Sequence, residues 1–256
     1  LRSENARVGK VYAFANQKGG VGKTTTAINV AACLAEAGER ALVVDLDPQA
    51  NATSGLGMRA NGTSSYDLLD GAPVAELAKP TAFPNLFLVP SRPELAGAAV
   101  ELSRRDDGER YLASSLAHVE GFDFVLLDCP PSLGPLTVNA LAAADRVVVP
   151  VQAEYYALEG LAQLVQSIEL VRRRLNPKLT IAGVLLTMAD GRTTLARDVE
   201  NEVRKHFGDL VFSAVVPRSV RVAEAPSHGL PVTHYDRRSR GAEAYWEVAM
   251  ELVERS

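Results

Sequence analysis

The residues most able to do chemistry lie close together near the start of the chain, in Lys18-Gly19-Gly20-Val21-Gly22-Lys23-Thr24-Thr25. Glycine tolerates positive φ and lets an anion approach the backbone, so Gly19, Gly20 and Gly22 can fold main-chain N–H groups around a phosphate. Lys23 can reach β- and γ-phosphate oxygens, and the Thr24 hydroxyl can ligate Mg²⁺. Apolar residues 11–15 ahead of the loop read as a strand, and residues from Thr24 onward as a helix whose leading amides complete the cradle. That order of strand, glycine loop, lysine, threonine and helix predicts a P-loop site for ATP and magnesium.

Two acidic strand ends should face this loop. Val43-Val44-Asp45-Leu46-Asp47-Pro48-Gln49 and Phe124-Val125-Leu126-Leu127-Asp128 each run from apolar residues into aspartate. In a parallel sheet such residues emerge at the carboxyl edge, beside the first loop. Hydrolysis needs a group that orients water against the γ-phosphate, and magnesium needs hard oxygen ligands. Asp128 is expected to hold the metal, directly or through water. A strand-end aspartate such as Asp45 or Asp47 can also serve only as a turn former. Asn16 and Asn51 could bring an amide near the γ-phosphate, although asparagine also favours turns and caps. Cys129 has nothing nearby to act as a base and reads as a small buried residue.

The elements that must position these groups follow from alternating short apolar runs and longer helical patterns. Strands are expected at residues 11–16, 41–45, 86–90, 124–128, 146–151, 181–187 and 211–216, and helices at 25–37, 155–175, 194–207 and 241–255. The fold class is α/β: a P-loop NTPase with a mainly parallel twisted sheet flanked by helices on both faces. A length of 256 residues suits one such domain, with residues 1–9 as a flexible lead-in and surface loops and short helices through 49–84.

A net charge of −4 argues against coating nucleic acid by bulk charge but leaves room for a local basic patch. No apolar run approaches the roughly 18 residues of a membrane span. The only two cysteines, Cys33 and Cys129, make neither a disulfide framework nor a zinc site, so a reducing cytoplasm is the expected location. The histidines (His118, His206, His228 and His234) lack ligand-like spacing and are assigned to no metal.

The loop departs from the plain G-x-x-x-x-G-K-[ST] pattern: Gln17 stands where glycine would, and the next position is a second lysine, Lys18. This arrangement resembles the deviant Walker A motif of the ParA/MinD family of ATPases. The strings Asp47-Pro48-Gln49-Ala50-Asn51-Ala52-Thr53, residues 150–160 (PVQAEYYALEG) and residues 217–227 (PRSVRVAEAPS) are similar to the chromosomal ParA (Soj) branch, and the resemblance runs from about residue 10 to about residue 250.

The resemblance implies an ATP-dependent sandwich dimer in which Lys18 reaches the partner's ATP, with Asp47 as the hydrolytic carboxylate that also attends the metal. Asp45 then supports the site, and residues 129–132 form a γ-phosphate-sensing switch. It implies that Pro217 and Arg218 pass near the adenine, and that Arg192 and Arg221 contact double-stranded DNA without sequence preference. Hydrolysis would be slow and stimulated by a ParB (Spo0J)-like protein, in the cytoplasm and on the nucleoid. A first strand near Val11 leaves no helix-turn-helix ahead of it in this sequence, in keeping with non-specific binding.

A MinD-like membrane-cycling ATPase is the alternative. It calls for a basic amphipathic tail, whereas the polar face of residues 243–254 is acidic and Val248, Leu252 and Val253 read as core contacts. An iron–sulfur carrier of the same superfamily would need cysteines suitably paired, and an ATP-bound scaffold without turnover would not need Lys18, Asp47 and Asp128. Both are disfavoured.

Overall fold

The computed structural model describes residues 9–117, 119–154, 157–191 and 193–255. Seven strands form one sheet: β1 (Lys10–Phe14), β2 (Ala41–Asp45), β3 (Lys79–Pro80), β4 (Leu86–Val89), β5 (Phe124–Asp128), β6 (Arg146–Gln152) and β7 (Thr180–Thr187). Their order is β3-β4-β2-β5-β1-β6-β7. All neighbours are parallel except the β3–β4 pair. Pro80 sits in that antiparallel edge strand, where a missing N–H does least harm.

Side-chain alternation explains the layers. Val11 and Ala13 of β1, Leu42 and Val44 of β2, and Val125 and Leu127 of β5 feed one apolar layer. Their sequence neighbours Tyr12, Phe14, Ala41, Val43, Phe124 and Leu126 feed the other. Both faces of the central strands are therefore dry, as the near-continuous apolar runs require. The first layer is covered by Leu161, Leu164 and Ile168 of the Ala157–Arg174 helix and by Leu136, Ala140 and Leu141 of the Pro135–Ala143 helix. The second is covered by the Lys23–Glu36 and Arg240–Glu254 helices, through Ile28, Val30 and Leu34 and through Tyr245, Val248 and Leu252.

Residues 211–216 do not form a strand. Val211 and Phe212 run beside β7, with the Phe212 N–H donating to Val184 O at 2.9 Å, but only isolated bridges form. The physical reason is a competing acceptor. The Glu251 carboxylate accepts the Ser213 N–H at 2.9 and 3.0 Å and the Ala214 N–H at 3.1 Å, which takes these amides out of any ladder. Glu251 is also paired with Arg255 at 2.6 Å. We expect Glu251→Ala to destabilise the fold by about 1–3 kcal/mol, because two backbone donors lose a charged acceptor; urea midpoints of the two proteins measure it.

Val253, expected in the core, is 41% exposed, whereas Val248 and Leu252 are each 1% exposed. The helix turns Val253 past the edge of its buried stripe, beside exposed Met250. Gly9, grouped with the lead-in, is packed: a Cβ there would lie 2.5 Å from Phe122 O. Residues 1–8 lie outside the described residues. Among the described residues no helix is long and apolar enough to cross a membrane.

Candidate active site

Gly20 and Gly22 hold φ of 73° and 86°, a left-handed geometry that costs other residues about 1–2 kcal/mol. Gly22 is the N-cap of the Lys23–Glu36 helix, no side chain caps that helix, and its first turn has no acidic residue. Its leading amides are thus left for an anion.

The loop is braced by distant parts of the chain. Asn16 donates to Pro150 O at 2.7 Å and accepts the Lys18 N–H at 3.0 Å, so its amide is a strut. Thr187, at the end of β7, donates its hydroxyl to Val21 O at 2.8 Å. Lys23 Nζ donates to Lys18 O at 3.2 Å, which fixes the ammonium inside its own loop. Lys23 is buried. Burial lowers its pKa, and the charges of Asp128 and Asp47 oppose that drop.

Asp128 is fully buried, and among the described residues neither carboxylate oxygen has a partner at good hydrogen-bond geometry, the Thr24 hydroxyl lying near it without one. Burial pushes its pKa well above the usual carboxylate range and the nearby Asp45 charge adds to this, while the Thr24 hydroxyl and Lys23 act the other way. An ionised carboxylate left so is costly unless a cation approaches it. With Thr24 beside it, the orphaned pair of oxygens fits a hard divalent ion such as Mg²⁺.

Asp45 is a positioning group, held deep in the sheet. Its Oδ2 accepts the Thr53 N–H at 2.8 Å and the Thr53 hydroxyl at 2.7 Å, and its Oδ1 accepts the Asp47 N–H at 3.1 Å. Burial pushes its pKa up to about 6 against these bonds. Asp47 is thereby set at the mouth of the site, with Oδ1 accepting the Gln49 N–H at 2.9 Å.

These residues open onto a cavity of about 490 Å³, within the usual size for a small-molecule site. Gly19, Gly20, Gly22, Lys23, Thr24 and Thr25 line it, joined by Asp47 and Asn51 and by Pro217 and Arg218 from the far end of the chain. Pro131 brings the segment after β5 to the same cavity.

Three expected residues stand apart from that lining. Val21 is 1% exposed with its carbonyl taken by Thr187, which leaves only its N–H for a ligand. Asp128 lies buried behind the lining. Lys18 points elsewhere: its Nζ is 2.6 Å from Glu154 Oε2, and both side chains are about half exposed.

Arg221 borders a neighbouring cleft and is paired with Glu224 at 3.2 Å and Asp236 at 3.3 Å. Arg192 lies outside the described residues, as do Tyr155, Tyr156 and His118. Cys33 and Cys129 are buried, and burial pushes both thiols up.

Sequence reasoning missed Thr53, Thr187 and Glu154 as site residues. Thr53 and Glu154 stood inside the family-like strings, but no chemistry was read into them. Thr187 looks like an ordinary β-branched strand residue.

The chain matches the AAA domain family over residues 9–181. It is 53% identical over 250 residues to the sporulation initiation inhibitor protein Soj of Bacillus subtilis (strain 168), across 96% of this chain and 99% of that protein. It is 55% identical over 255 residues to the chromosome-partitioning ATPase Soj of Thermus thermophilus, across 100% and 98%. A solved structure of cobyrinic acid a,c-diamide synthase from Mycobacterium smegmatis, with bound ATP analog and magnesium, is similar at TM-score 0.84 and 39% identity, over 96% of this chain and 95% of that one. The two Soj proteins share more of the sequence than the synthase does, over nearly the whole length. On that footing, and with a phosphate cradle, an orphaned metal-type carboxylate and a second loop lysine in place, the chain belongs to the Soj/ParA family of chromosome-partitioning ATPases.

Proposed function

We propose that this ATPase domain is a switch: ATP joins two copies into a sandwich dimer that holds double-stranded DNA without sequence preference, and hydrolysis releases it. The observation that carries this reading is the divergence of the two loop lysines. Lys23 is folded into its own nucleotide cavity, whereas Lys18 lies outside it, half exposed and paired with Glu154. A lysine so placed can meet the phosphates of a facing subunit.

In this reading the Gly19–Thr25 amides and Lys23 bind the phosphates, and Pro217 and Arg218 contact the nucleoside. Thr24 and Asp128, with Asp47 nearby, hold Mg²⁺, which when bound supplies charge neutralisation at the β- and γ-phosphates. Asp47 orients a water against the γ-phosphorus; the new P–O bond forms as the bond to the β–γ bridging oxygen breaks. Lys18 of the facing subunit neutralises charge developing on that oxygen, a role like that of an arginine finger. A ParB (Spo0J)-like partner stimulates the step, and the protein cycles between cytoplasm and nucleoid. Arg192 and Arg221 supply DNA contact.

A titration of duplex DNA of arbitrary sequence with ATP, ADP or no nucleotide tests the reading, repeated with anionic vesicles. Binding confined to ATP, falling steeply with salt, and no vesicle binding are expected. Binding to vesicles but not DNA would replace this reading by the membrane-cycling one.

A further inference from the structure

A second cleft, of about 760 Å³, adjoins the nucleotide cavity. Its lining includes Arg218, Arg221 and Arg240 with one carboxylate, Asp190, and because Glu224 and Asp236 pair with Arg221, the cationic character of the cleft rests on Arg218 and Arg240. The three arginines differ in availability. Arg221 is already held by Glu224 and Asp236. Neither Arg218 nor Arg240 is in an ion pair among the described residues, and both are exposed. Exposed arginines without a carboxylate keep their charge available to an anionic ligand. Its planar fork suits phosphate oxygens.

The packing that makes this cleft is specific. Arg240 opens the Arg240–Glu254 helix, and its neighbour Gly241 lets the Val220–Glu224 helix come close: a Cβ at Gly241 would lie 2.3 Å from Val222 Cγ2 and 3.5 Å from Ser219 Cβ. That approach brings Arg240 to the same cleft as Ser219 and Arg221.

The cleft is also tied to the nucleotide loop. Pro217, Arg218 and Ser219 line both cavities. The Arg218 N–H donates to Ala189 O at 3.0 Å, two residues beyond Thr187, whose hydroxyl holds Val21 O. Two hydrogen bonds and two residues of chain thus join the phosphate loop to the wall of the cleft.

We propose that this cleft receives the phosphodiester backbone of duplex DNA, with Arg240 as a direct phosphate contact. The inference rests on the DNA-binding reading above and adds a residue and a place to it. Among the described residues Arg240 has no paired carboxylate, whereas Arg221 must share its guanidinium with two. The 217–219 wall gives ATP occupancy a route to the shape of this surface within one subunit.

The test is a fluorescence-anisotropy titration of a duplex of arbitrary sequence, with ATP, across a salt series, for the parent chain, Arg240→Ala, Arg240→Lys and Arg221→Glu. Loss of one phosphate contact should lower the log–log salt slope by about one and weaken affinity about tenfold. Arg240→Ala is expected to show both while its affinity for a fluorescent ATP analogue stays at the parental value, and Arg240→Lys should recover the slope. If Arg221→Glu weakens binding but Arg240→Ala changes neither affinity nor slope, the cleft proposal is overturned and the DNA reading stands. If the parent chain binds no DNA with ATP even at low salt, both fall.

Discussion

Asp47→Ala is expected to lower ATP turnover by about a hundredfold or more while ATP still binds. Asp47 lines the cavity beside Lys23 and Thr24, yet it makes none of the backbone contacts that would cradle phosphates. Its fixed place comes from the layer beneath: Asp45 holds its N–H, and Thr53 holds Asp45. Removing the Asp47 side chain therefore removes the group proposed to orient water and leaves the phosphate loop whole. The same variant should remain on DNA with ATP long after the parent has left. Steady-state phosphate release and DNA dissociation rates measure the two effects; a parental turnover rate would show that another group does this work.

Lys18→Ala should reduce turnover by about 10³-fold or more, the scale of losing a charge-neutralising finger. The side chain is not part of the subunit's own cavity, so affinity of the monomer for nucleotide should change little. Its ion pair with Glu154 is half exposed and adds little to stability, so the melting temperature should also stay near the parental value. A large loss of activity with unchanged folding and nucleotide affinity separates a role between subunits from a role within one. A loss of ATP affinity matching the loss of turnover would place Lys18 in its own site.

Much of the site was legible because its parts are local. The strands 41–45 and 124–128 end where their aspartates predict, and the glycine loop between β1 and the Lys23–Glu36 helix carries its own backbone instructions. What escaped is made by contacts between distant residues. Residues 211–216 have strand-like alternation, and nothing local reveals that Glu251 will claim the amides of Ser213 and Ala214. The Val21 carbonyl meets Thr187, and Lys18 meets Glu154, only once β6 and β7 are laid beside β1. Asp45 is the instructive case. The resemblance implied only that it supports the site; burial and three hydrogen bonds show how, by making it the anchor for Asp47. The Arg240 cleft likewise depends on Gly241 admitting a neighbouring helix, which no run of charge along the sequence discloses.

The central claim is that each ATP site is completed by the facing subunit. Mixing two inactive variants tests it most directly. Lys18→Ala keeps Asp47 but offers no lysine to its partner; Asp47→Ala offers the lysine but cannot orient water. In a mixed dimer, the site on the Lys18→Ala subunit would have its own Asp47 and receive Lys18 from the other copy. Each variant alone should be nearly inactive, and their equimolar mixture should regain a substantial part of the parental phosphate release. A mixture no more active than the two variants apart, with mixed dimers present by crosslinking, would contradict the account.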